Sequence, residues 1–454
     1  MPSPAPRPLA AIILAAGKGT RMKSDLHKVL HPIAGRPMLF HLLESIDALA
    51  PERVVVVVGD KRDQLERALA GRAVAFAVQE PQLGTAHAVL QAREALAGWD
   101  GDVLILSGDV PFIRPETMRR MIAALHADAA PVAVVLGFRP PDAAAYGRIV
   151  ADPAGVVTRM VEHKDASEEE RRVGLCNSNL FAIRAGDLWP LLDRVGNDNA
   201  QGEYYLPDIV TVATADGRTS RVIEGEAGEA IGPNSRADFA LAEAEWQARR
   251  RVTAMADGAT LVAPETVWFA HDTVLGRDVT VEQNVVFGPG VHVADGAVIH
   301  AFSHLEGARV GEGCSVGPYA RLRPGTVLER GAKVGNFVEV KQATLDEGAK
   351  ASHLTYLGDA QVGAGANIGA GTITCNYDGF FKYRTSIGAG AFIGSNSALV
   401  APVTIGDGAI VGAGSVVTAD VEPDALALVR PPQVAKQGWA TRFRERMRAH
   451  KAGR

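Results

Sequence analysis

The chain has 454 residues, and 47% of them are hydrophobic, as in a globular protein. This length predicts more than one domain. The net charge of −5 argues against a nucleic-acid partner. No apolar run reaches the ~18 residues of a membrane span, residues 1–7 lack a signal-peptide core, and we expect no membrane partner. The widely spaced Cys176, Cys314 and Cys375 predict free thiols in a cytoplasmic protein.

The first half alternates apolar strands with helical patterns, which predicts βαβ units and a mostly parallel sheet. The predicted strands are Ala10–Ala15, Arg53–Val58, Ala73–Val78, Asp102–Leu106 and Pro131–Leu136. The predicted helices are Pro37–Leu49, Gln64–Ala70, Thr85–Ala97 and Pro115–Leu125. Ligands of such sheets bind at the carboxyl ends of the strands. The loops there are Gly17–Arg21, Gln79–Thr85 and Ser107–Asp109.

The first of these loops is rich in glycine and basic residues. Gly17-x-Gly19 lacks the third glycine of a dinucleotide fingerprint, and no P-loop motif is present. Glycine frees backbone N–H groups, while Lys18, Arg21 and Lys28 can balance phosphate charge. We therefore expect a phosphate site that is neither a dehydrogenase site nor a P-loop.

Two polar positions could hold a metal ion. Asp109 follows a strand end, where a carboxylate can hold Mg²⁺ against phosphate oxygens, although for an isolated residue an ordinary turn aspartate is the more common interpretation. Asn234 and Ser235 fit a helix cap, with Ser235 and Asp238 forming a capping box. The residues alone leave both interpretations open.

The stretch from Ala237 to Met255 has a helical pattern. About 20 residues at 1.5 Å each would form a strut of ~30 Å. We therefore predict a first domain at 1–236, a helical linker at 237–256 and a second domain at 257–454.

The second half carries a six-residue repeat of aliphatic positions. It runs through Leu275, Val281, Phe287, Val293, Ile299 and Leu305, then Val310, Val316, Leu322, Leu328, Val334 and Val340, and again Ile387, Ile393, Leu399, Ile405, Val411 and Val417. A period of six fits neither a helix nor an amphipathic strand. It predicts a β-solenoid in which the aliphatic residues point inward. With coils ~4.8 Å apart, we expect roughly eight coils over about 40 Å.

The repeat slips in two regions. Five-residue steps flank Ser352–Tyr356, and the step from Thr374 to Ile387 is thirteen residues. The longer step contains Tyr377, Phe380 and Phe381, which have no core position to fill. We expect this loop to cover a ligand or a neighbouring subunit.

The string from Leu14 to Met22, Leu-Ala-Ala-Gly-Lys-Gly-Thr-Arg-Met, resembles the nucleotide signature of the sugar-nucleotide pyrophosphorylases, and Lys28 falls on their Pro-Lys-x-Leu lysine. With the hexads added, nearly the whole chain resembles the bacterial bifunctional N-acetylglucosamine-1-phosphate uridyltransferases/glucosamine-1-phosphate N-acetyltransferases. This resemblance implies an α/β Rossmann-like nucleotidyltransferase domain followed by a left-handed parallel β-helix, and a homotrimer through the β-helix. It also implies acetylation of glucosamine-1-phosphate by acetyl-CoA, then Mg²⁺-dependent uridylyl transfer from UTP to N-acetylglucosamine-1-phosphate.

The resemblance also implies the residues of the uridyltransferase site. Catalytic roles fall on Arg21 and Lys28, and the metal ligands are Asp109 and Asn234. The substrate contacts are Leu14, Ala15, Ala16, Gly17, Lys28, Gln79, Gly84, Thr85, Ser107, Gly108, Asp109, Gly147, Glu162, Asn177 and Asn234. Three positions depart from the usual pattern: His27 replaces proline, Ser107 replaces a frequent tyrosine, and Ser178 stands in Cys176-Asn-Ser-Asn where Ile/Asn-Thr-Gly is usual.

Four strings carry the resemblance in the second half: Arg321-Leu-Arg-Pro-Gly325, Gly335-Asn-Phe-Val-Glu-Val-Lys341, His353-Leu-Thr-Tyr-Leu-Gly-Asp359 and Asn367-Ile-Gly-Ala-Gly-Thr-Ile-Thr-Cys-Asn-Tyr-Asp378. They imply that His353 is the general base. Arg323 and Lys341 would hold the sugar phosphate, and Tyr356 and Asn367 the sugar. Acetyl-CoA would contact Ala370, Asn376, Tyr377, Ser395, Ala413 and Arg430.

These residue types suit the implied reactions. In-line attack of a sugar phosphate on UTP needs positioning and charge neutralisation, but no nucleophilic side chain. Attack of an amine on a thioester needs a base, and imidazole is suitable. A rival hypothesis is a single-activity nucleotidyltransferase whose β-helix serves only oligomerisation or regulation. The polar side chains of the solenoid wall argue against it, and the phosphate loop argues against a non-enzymatic scaffold.

Overall fold

The computed structural model describes residues 7–127, 129–143 and 145–453. Residues 1–6, part of the segment predicted to lack a signal-peptide core, and residue 454, the last of the predicted second domain, lie outside the described residues. The chain divides into two compact units, Met1–Arg249 and Arg250–Arg454.

A nine-stranded sheet organises the described part of the first unit, in the order β5-β4-β1-β6-β10-β7-β11-β9-β8. The strands of this unit are β1 Leu9–Ala15, β2 Pro32–Ile33, β3 Arg36–Pro37, β4 Arg53–Val58, β5 Ala75–Val78, β6 Asp102–Ser107, β7 Ala133–Phe138, β8 Arg148–Ala151, β9 Val156–Val161, β10 Cys176–Arg184 and β11 Ser220–Glu224. Its helices are α1 Met38–Asp47, α2 Arg62–Ala68, α3 Thr85–Gln91, α4 Pro115–Leu125, α5 Glu168–Arg171, α6 Ala185–Leu192 and α7 Asp208–Ala215. Short 3₁₀ turns occur at Thr20–Met22, Lys28–Leu30 and Ala227–Ala230.

The predicted parallel arrangement is found at one side of this sheet. β1 pairs in parallel with β4 and β6, and β4 with β5. Strand β10 runs antiparallel between β6 and β7, so the sheet is mixed. The sequence analysis did not predict strands β8 to β11. The helix predicted at Thr85–Ala97 ends at Gln91 and continues as turns.

The helix between the halves, α8, spans Arg236–Ala256. Ala242 is fully buried in the core of the first unit, and Phe239 and Trp246 pack against the same core. The first part of the segment predicted as a linker therefore contributes to the stability of the first unit, through apolar burial of about 25 cal/mol per Å².

The second unit is a left-handed parallel β-helix with three parallel sheets. The first sheet contains Thr260–Leu261, Thr280–Val281, Val298–Ile299, Ser315–Val316, Lys333–Asn336, Lys350–His353, Asn367–Ile368, Phe392–Ile393, Ile410–Val411 and Leu426–Ala427. The second contains Val274–Leu275, His292–Val293, Ala308–Val310, Thr326–Leu328, Thr344–Leu345, Ala360–Val362, Thr385–Ile387 and Val403–Ile405. The third contains Val286–Phe287, His304–Leu305, Arg321–Leu322, Glu339–Lys341, Tyr356–Gly358, Ile373–Cys375, Ala398–Val400 and Val416–Val417. A 3₁₀ turn lies at Pro264–Thr266.

The six-residue row fills the interior of this β-helix. Every member from Val281 to Val340 and from Ile387 to Val417 is buried, and only Leu275, at the beginning, is partly exposed. The thirteen-residue step forms an outward loop, in which Phe380 is 86% and Phe381 is 67% exposed. The aliphatic residues of the repeat thus fill the interior of the coils, and the thirteen-residue step forms a loop outside them.

The chain continues into helix α9, Trp439–Ala452, whose side chains are exposed. Across residues 7–127, 129–143 and 145–453, no helix combines the length and the apolar character needed to cross a bilayer.

Candidate functional sites

A cavity of about 830 Å³ lies at the carboxyl ends of the parallel strands of the first unit. The loops after β1, β5 and β6 meet there, as the sheet topology predicted. Of the residues predicted for the uridyltransferase site, all but Gly108 line it: Leu14, Ala15, Ala16, Gly17, Arg21, Lys28, Gln79, Gly84, Thr85, Ser107, Asp109, Gly147, Glu162, Asn177 and Asn234. Gly108 lies behind the wall, where its backbone N–H donates to the carbonyl of Leu14.

Four charged or polar side chains converge at one end of the cavity. The Nζ atom of Lys28 donates to Asp109 Oδ2 at 2.5 Å and to Asn234 Oδ1 at 2.8 Å. The guanidinium of Arg21 also donates to Asn234 Oδ1, at 2.9 Å. The two side-chain oxygens of Asp109 and Asn234 therefore contact the ammonium of Lys28, and the guanidinium of Arg21 lies beside them.

The phosphate loop is packed closely against Lys28. Gly19 has a φ of +59°, and a Cβ there would lie 2.9 Å from the Cβ of Lys28. A larger residue would thus separate the loop from the lysine and strain the backbone.

Hydrogen bonds within the protein hold the segment after β5 against the cavity. Gln79 is buried, and its side-chain amide donates to the carbonyl of Gly84 at 2.8 Å. Gly84 has a φ of +112°, and a Cβ there would lie 2.5 Å from the carbonyl oxygen of Tyr204. The Oγ1 atom of Thr85 accepts from the backbone of Leu206 at 2.9 Å. Gly84 therefore packs against the backbone of Tyr204 with no room for a side chain.

Acidic and amide side chains also line the cavity. The carboxylate of Glu162 lies against Gly147, where a Cβ would come within 3.3 Å of both its oxygens. Burial raises the pKa of Glu162 above its ordinary value, and the carboxylates of Asp208, Asp165 and Glu203 act in the same direction. The buried Asn177 exchanges hydrogen bonds with Asn179 at 2.8 and 2.9 Å.

The cavity wall also contains residues that the sequence analysis did not name as contacts. Tyr146, Asn179 and Glu203 line it beside Gly147, Asn177 and Glu162. Tyr146 directly precedes Gly147 in the Tyr-Gly-Arg string, which could have identified it. Glu203 lies in a loop with no motif, and only the fold brings it to the site.

In the second unit, His353 lies at a corner of the β-helix with its side chain exposed. Its Nδ1 atom lies 2.5 Å from Oδ1 of Asn336, the residue paired with it on the preceding coil. Because an amide oxygen can only accept, the ring proton lies on Nδ1 and the lone pair on Nε2. Asn336 therefore orients the imidazole and leaves Nε2 as its acceptor nitrogen. The sequence analysis did not assign this role to Asn336.

Three cations of the second unit lie close together. Contact with the side chain of Lys382 lowers the pKa of Lys341, and partial burial and Arg323 act in the same direction. Arg323 is held by Glu339, with Nη1 2.8 Å from Oε1. Cations at such short range favour an anion between them. Lys382 lies in the thirteen-residue step, and the sequence analysis did not predict it for this site.

Polar groups surround the same region. A Cβ on Gly358 would lie 2.4 Å from the hydroxyl of Tyr356 and 2.8 Å from Nδ2 of Asn376, so both side chains close over this glycine. The Nδ2 atom of Asn376 donates to Asp359. Asn367 lies on the next coil of the sheet that holds His353. Tyr377 is exposed on the outward loop.

The remaining predicted residues continue along the corner of His353. Backbone hydrogen bonds of 2.8 Å link Asn396 to Ala370 and Gly414 to Ser395, so Ala370, Ser395 and Ala413 occupy successive coils. The guanidinium of Arg430 donates to the carbonyl of Ala413 at 2.5 Å. These four residues form one line that extends from the histidine.

Comparison with known proteins identifies both halves. Residues 11–165 match the MobA-like NTP transferase domain, and residues 384–419 match the bacterial transferase hexapeptide with six repeats. The Bifunctional protein GlmU of Sphingopyxis alaskensis is 66% identical over 445 residues and that of Novosphingobium aromaticivorans 67% over 446, each match covering 98% of both chains. The protein of the same name from Rhizorhabdus wittichii is 66% identical over 448 residues, or 99% of both chains. The chain therefore belongs to the family of bifunctional GlmU proteins.

Proposed function

We propose that this chain performs two successive steps of UDP-N-acetylglucosamine synthesis. The second unit transfers the acetyl group of acetyl-CoA to the amine of glucosamine-1-phosphate. The first unit then transfers the uridylyl group of UTP to the resulting N-acetylglucosamine-1-phosphate and releases pyrophosphate. The observation that carries this proposal is the presence in one chain of a cation-lined cavity beside the phosphate loop and of a β-helix with an oriented, exposed histidine and a cation cluster.

In uridylyl transfer, an oxygen of the sugar phosphate attacks the α-phosphorus of UTP while the bond to the β-phosphate breaks. Lys28 and Arg21, which both donate to Asn234, would stabilise the charge on the triphosphate and the departing pyrophosphate. Gln79, Gly84 and Thr85 would hold the uracil. Asn177 and Glu162 would hold the sugar, since both line the cavity.

The donor set of this cavity fits Mg²⁺. Asp109 Oδ2 and Asn234 Oδ1 both contact the ammonium of Lys28, so these oxygens already converge on a positive charge. Mg²⁺ prefers one or two protein oxygens and completes its shell with phosphate and water. When bound, the ion would neutralise charge on the phosphate oxygens. Asp109 and Asn234 would hold it, and Lys28 would be released to contact phosphate.

In acetyl transfer, Nε2 of His353 removes a proton from the ammonium of glucosamine-1-phosphate. The amine then attacks the thioester carbonyl, the C–S bond breaks, and CoA leaves. Arg323, Lys341 and Lys382 would bind the sugar phosphate, since they form the cation cluster of this unit. Tyr356 and Asn367 would contact the sugar.

The line of residues above His353 supports the placement of acetyl-CoA. Strands of adjacent coils lie about 4.8 Å apart, so Ala413 lies three coils, or roughly 14 Å, from His353. An extended cofactor arm could lie along Ala370, Ser395 and Ala413 with its thioester near the base. Asn376 and Tyr377 would flank the arm, and Arg430 would meet its charged end.

We also propose that the chain forms a homotrimer through the β-helix. Phe302, Tyr319 and Phe337 stack at one corner, with ring centroids 4.9 and 5.2 Å apart, and are 47%, 48% and 55% exposed. All three have φ of +56° to +59°, a conformation that costs such residues roughly 1 kcal/mol or more. Leu354, beside His353, continues this row. An exposed and strained apolar edge is explained if other copies of the chain cover it.

The two reactions can be tested separately on the purified protein. We expect free CoA from acetyl-CoA only when glucosamine-1-phosphate is present, and pyrophosphate from UTP only when N-acetylglucosamine-1-phosphate is present. Pyrophosphate release without CoA release would instead support the single-activity alternative, in which the β-helix has no catalytic role.

The free thiols of Cys176, Cys314 and Cys375 support a reducing, cytoplasmic location.

A further inference from the structure

His27 lies beside the phosphate loop and directly precedes Lys28. Its side chain is only 3% exposed and lines the cavity of the first unit. Neither reaction described above uses it. A buried polar ring next to a catalytic lysine requires a physical explanation.

The imidazole caps the short turn that begins with Lys28. Its Nδ1 atom accepts a hydrogen bond from the backbone of Val29 at 3.4 Å, and the carbonyl of His27 accepts from Leu30 at 3.0 Å. A capping side chain fixes the first residues of a turn. The first residue here is Lys28, so the cap holds the backbone from which the lysine side chain extends.

The backbone of His27 is anchored to helix α2 as well. Its N–H donates to Oε1 of Gln64 at 2.8 Å, and Nε2 of the same glutamine donates to the carbonyl of Asp25 at 2.8 Å. Lys61 Nζ donates to the carbonyl of Ser24 at 3.0 Å. Proline fixes φ covalently but lacks this N–H. The φ of His27, −57°, lies in the range of proline, so here hydrogen bonds hold a conformation that proline would impose.

The electrostatics favour a neutral ring. Burial lowers the pKa of His27, and Lys61 and Lys28 act in the same direction, against the Ala15 backbone and Asp60. With Nδ1 as acceptor, the ring proton lies on Nε2, which is buried. The ring therefore supports the turn without adding a charge that would repel the ammonium of Lys28.

From these contacts we infer that His27 is a positioning residue for uridylyl transfer, acting through Lys28. It holds the turn so that the ammonium of Lys28 reaches Asp109, Asn234 and the phosphates. This inference rests on the proposed uridyltransferase function of the first unit.

Two substitutions test the cap. In His27→Ala, kcat for pyrophosphate release should fall roughly 2- to 30-fold, the value of a lost cap, while the KM for N-acetylglucosamine-1-phosphate stays within about twofold. His27→Asn, which keeps a capping side chain, should recover most of the loss. CoA release by the second unit of the same proteins is the internal control and should not change.

A double-mutant cycle tests whether the effect passes through Lys28. In a Lys28→Gln background, His27→Ala should cause no further loss of residual kcat or of affinity for Mg·UTP, which calorimetry measures even in inactive proteins. Equal losses in both backgrounds, or wild-type kcat in His27→Ala, would overturn the inference while leaving the proposed function intact. A wild-type protein that releases no pyrophosphate would instead refute the proposed function itself.

Discussion

The hydrogen bond between Asn336 and His353 makes a quantitative prediction about acetyl transfer. Asn336→Ala removes the acceptor 2.5 Å from Nδ1 and leaves the imidazole free to rotate and to change tautomer. A typical hydrogen bond contributes about 0.5–1.5 kcal/mol, so the rate of CoA release should fall roughly 2- to 13-fold. His353→Ala removes the base itself and should lower the rate by roughly 10²–10⁴-fold. Asn336→Ala should thus lower the rate of CoA release much less than His353→Ala does.

The assay is the rate of thiol release from acetyl-CoA at saturating glucosamine-1-phosphate. Gln283→Ala is a matched control, because Gln283 occupies the equivalent corner position three coils before Asn336. It should keep the wild-type rate. The double variant Asn336→Ala/His353→Ala should be no slower than His353→Ala, since the asparagine acts only on the ring.

Two results would refute this reasoning. If Asn336→Ala were fully active, the imidazole would not need the asparagine to orient it. If Asn336→Ala lowered the rate in the absence of the histidine as much as in its presence, Asn336 would contribute by another route, such as direct contact with substrate.

The first unit and the assembly yield four more predictions. Asp109→Ala should abolish pyrophosphate release and leave CoA release unchanged. Glu162→Gln should raise the melting temperature of the first unit at pH 8 but not at pH 4. A raised carboxyl pKa stabilises the fold at low pH, and that stability is lost as pH rises above 4.5, through the folded-state pKa. An equal shift of the melting temperature at both pH values would contradict this prediction. Tyr319→Asp should reduce the trimer to monomers on size-exclusion chromatography with light scattering, and a persisting trimer would show that the aromatic edge is not the interface. A fragment ending at Arg249 should melt higher than one ending at Arg236, because only the longer one keeps Trp246; equal melting temperatures would show that this packing is dispensable.

The period of six was sufficient to predict the β-helix, because no other regular structure buries every sixth residue. The alternation of strands and helices likewise predicted the parallel part of the first sheet. It did not predict strands β8 to β11. Strands β8, β9 and β10 pair antiparallel, and adjacent exposed residues such as Thr158 and Arg159 of β9 break the regular alternation of a half-buried strand.

The candidate sites were predictable where a residue lies in a motif. The phosphate loop, Asp109 and His353 follow strand ends or string matches that a single sequence displays. Lys382 and Glu203 lie in loops, and their positions depend on how distant coils and strands are stacked. Asn336 precedes Phe337 within a recognised string, but its contact with His353 arises because consecutive coils place residues 17 apart side by side.

The most direct test of the central claim supplies glucosamine-1-phosphate, acetyl-CoA, UTP and Mg²⁺ together and measures UDP-N-acetylglucosamine. The wild-type protein should form it, whereas His353→Ala and Asp109→Ala should each fail alone. A mixture of the two variants should restore formation, because each retains one reaction and the intermediate can pass through solution. No product from the wild-type protein, or product from either variant alone at the wild-type rate, would contradict the account.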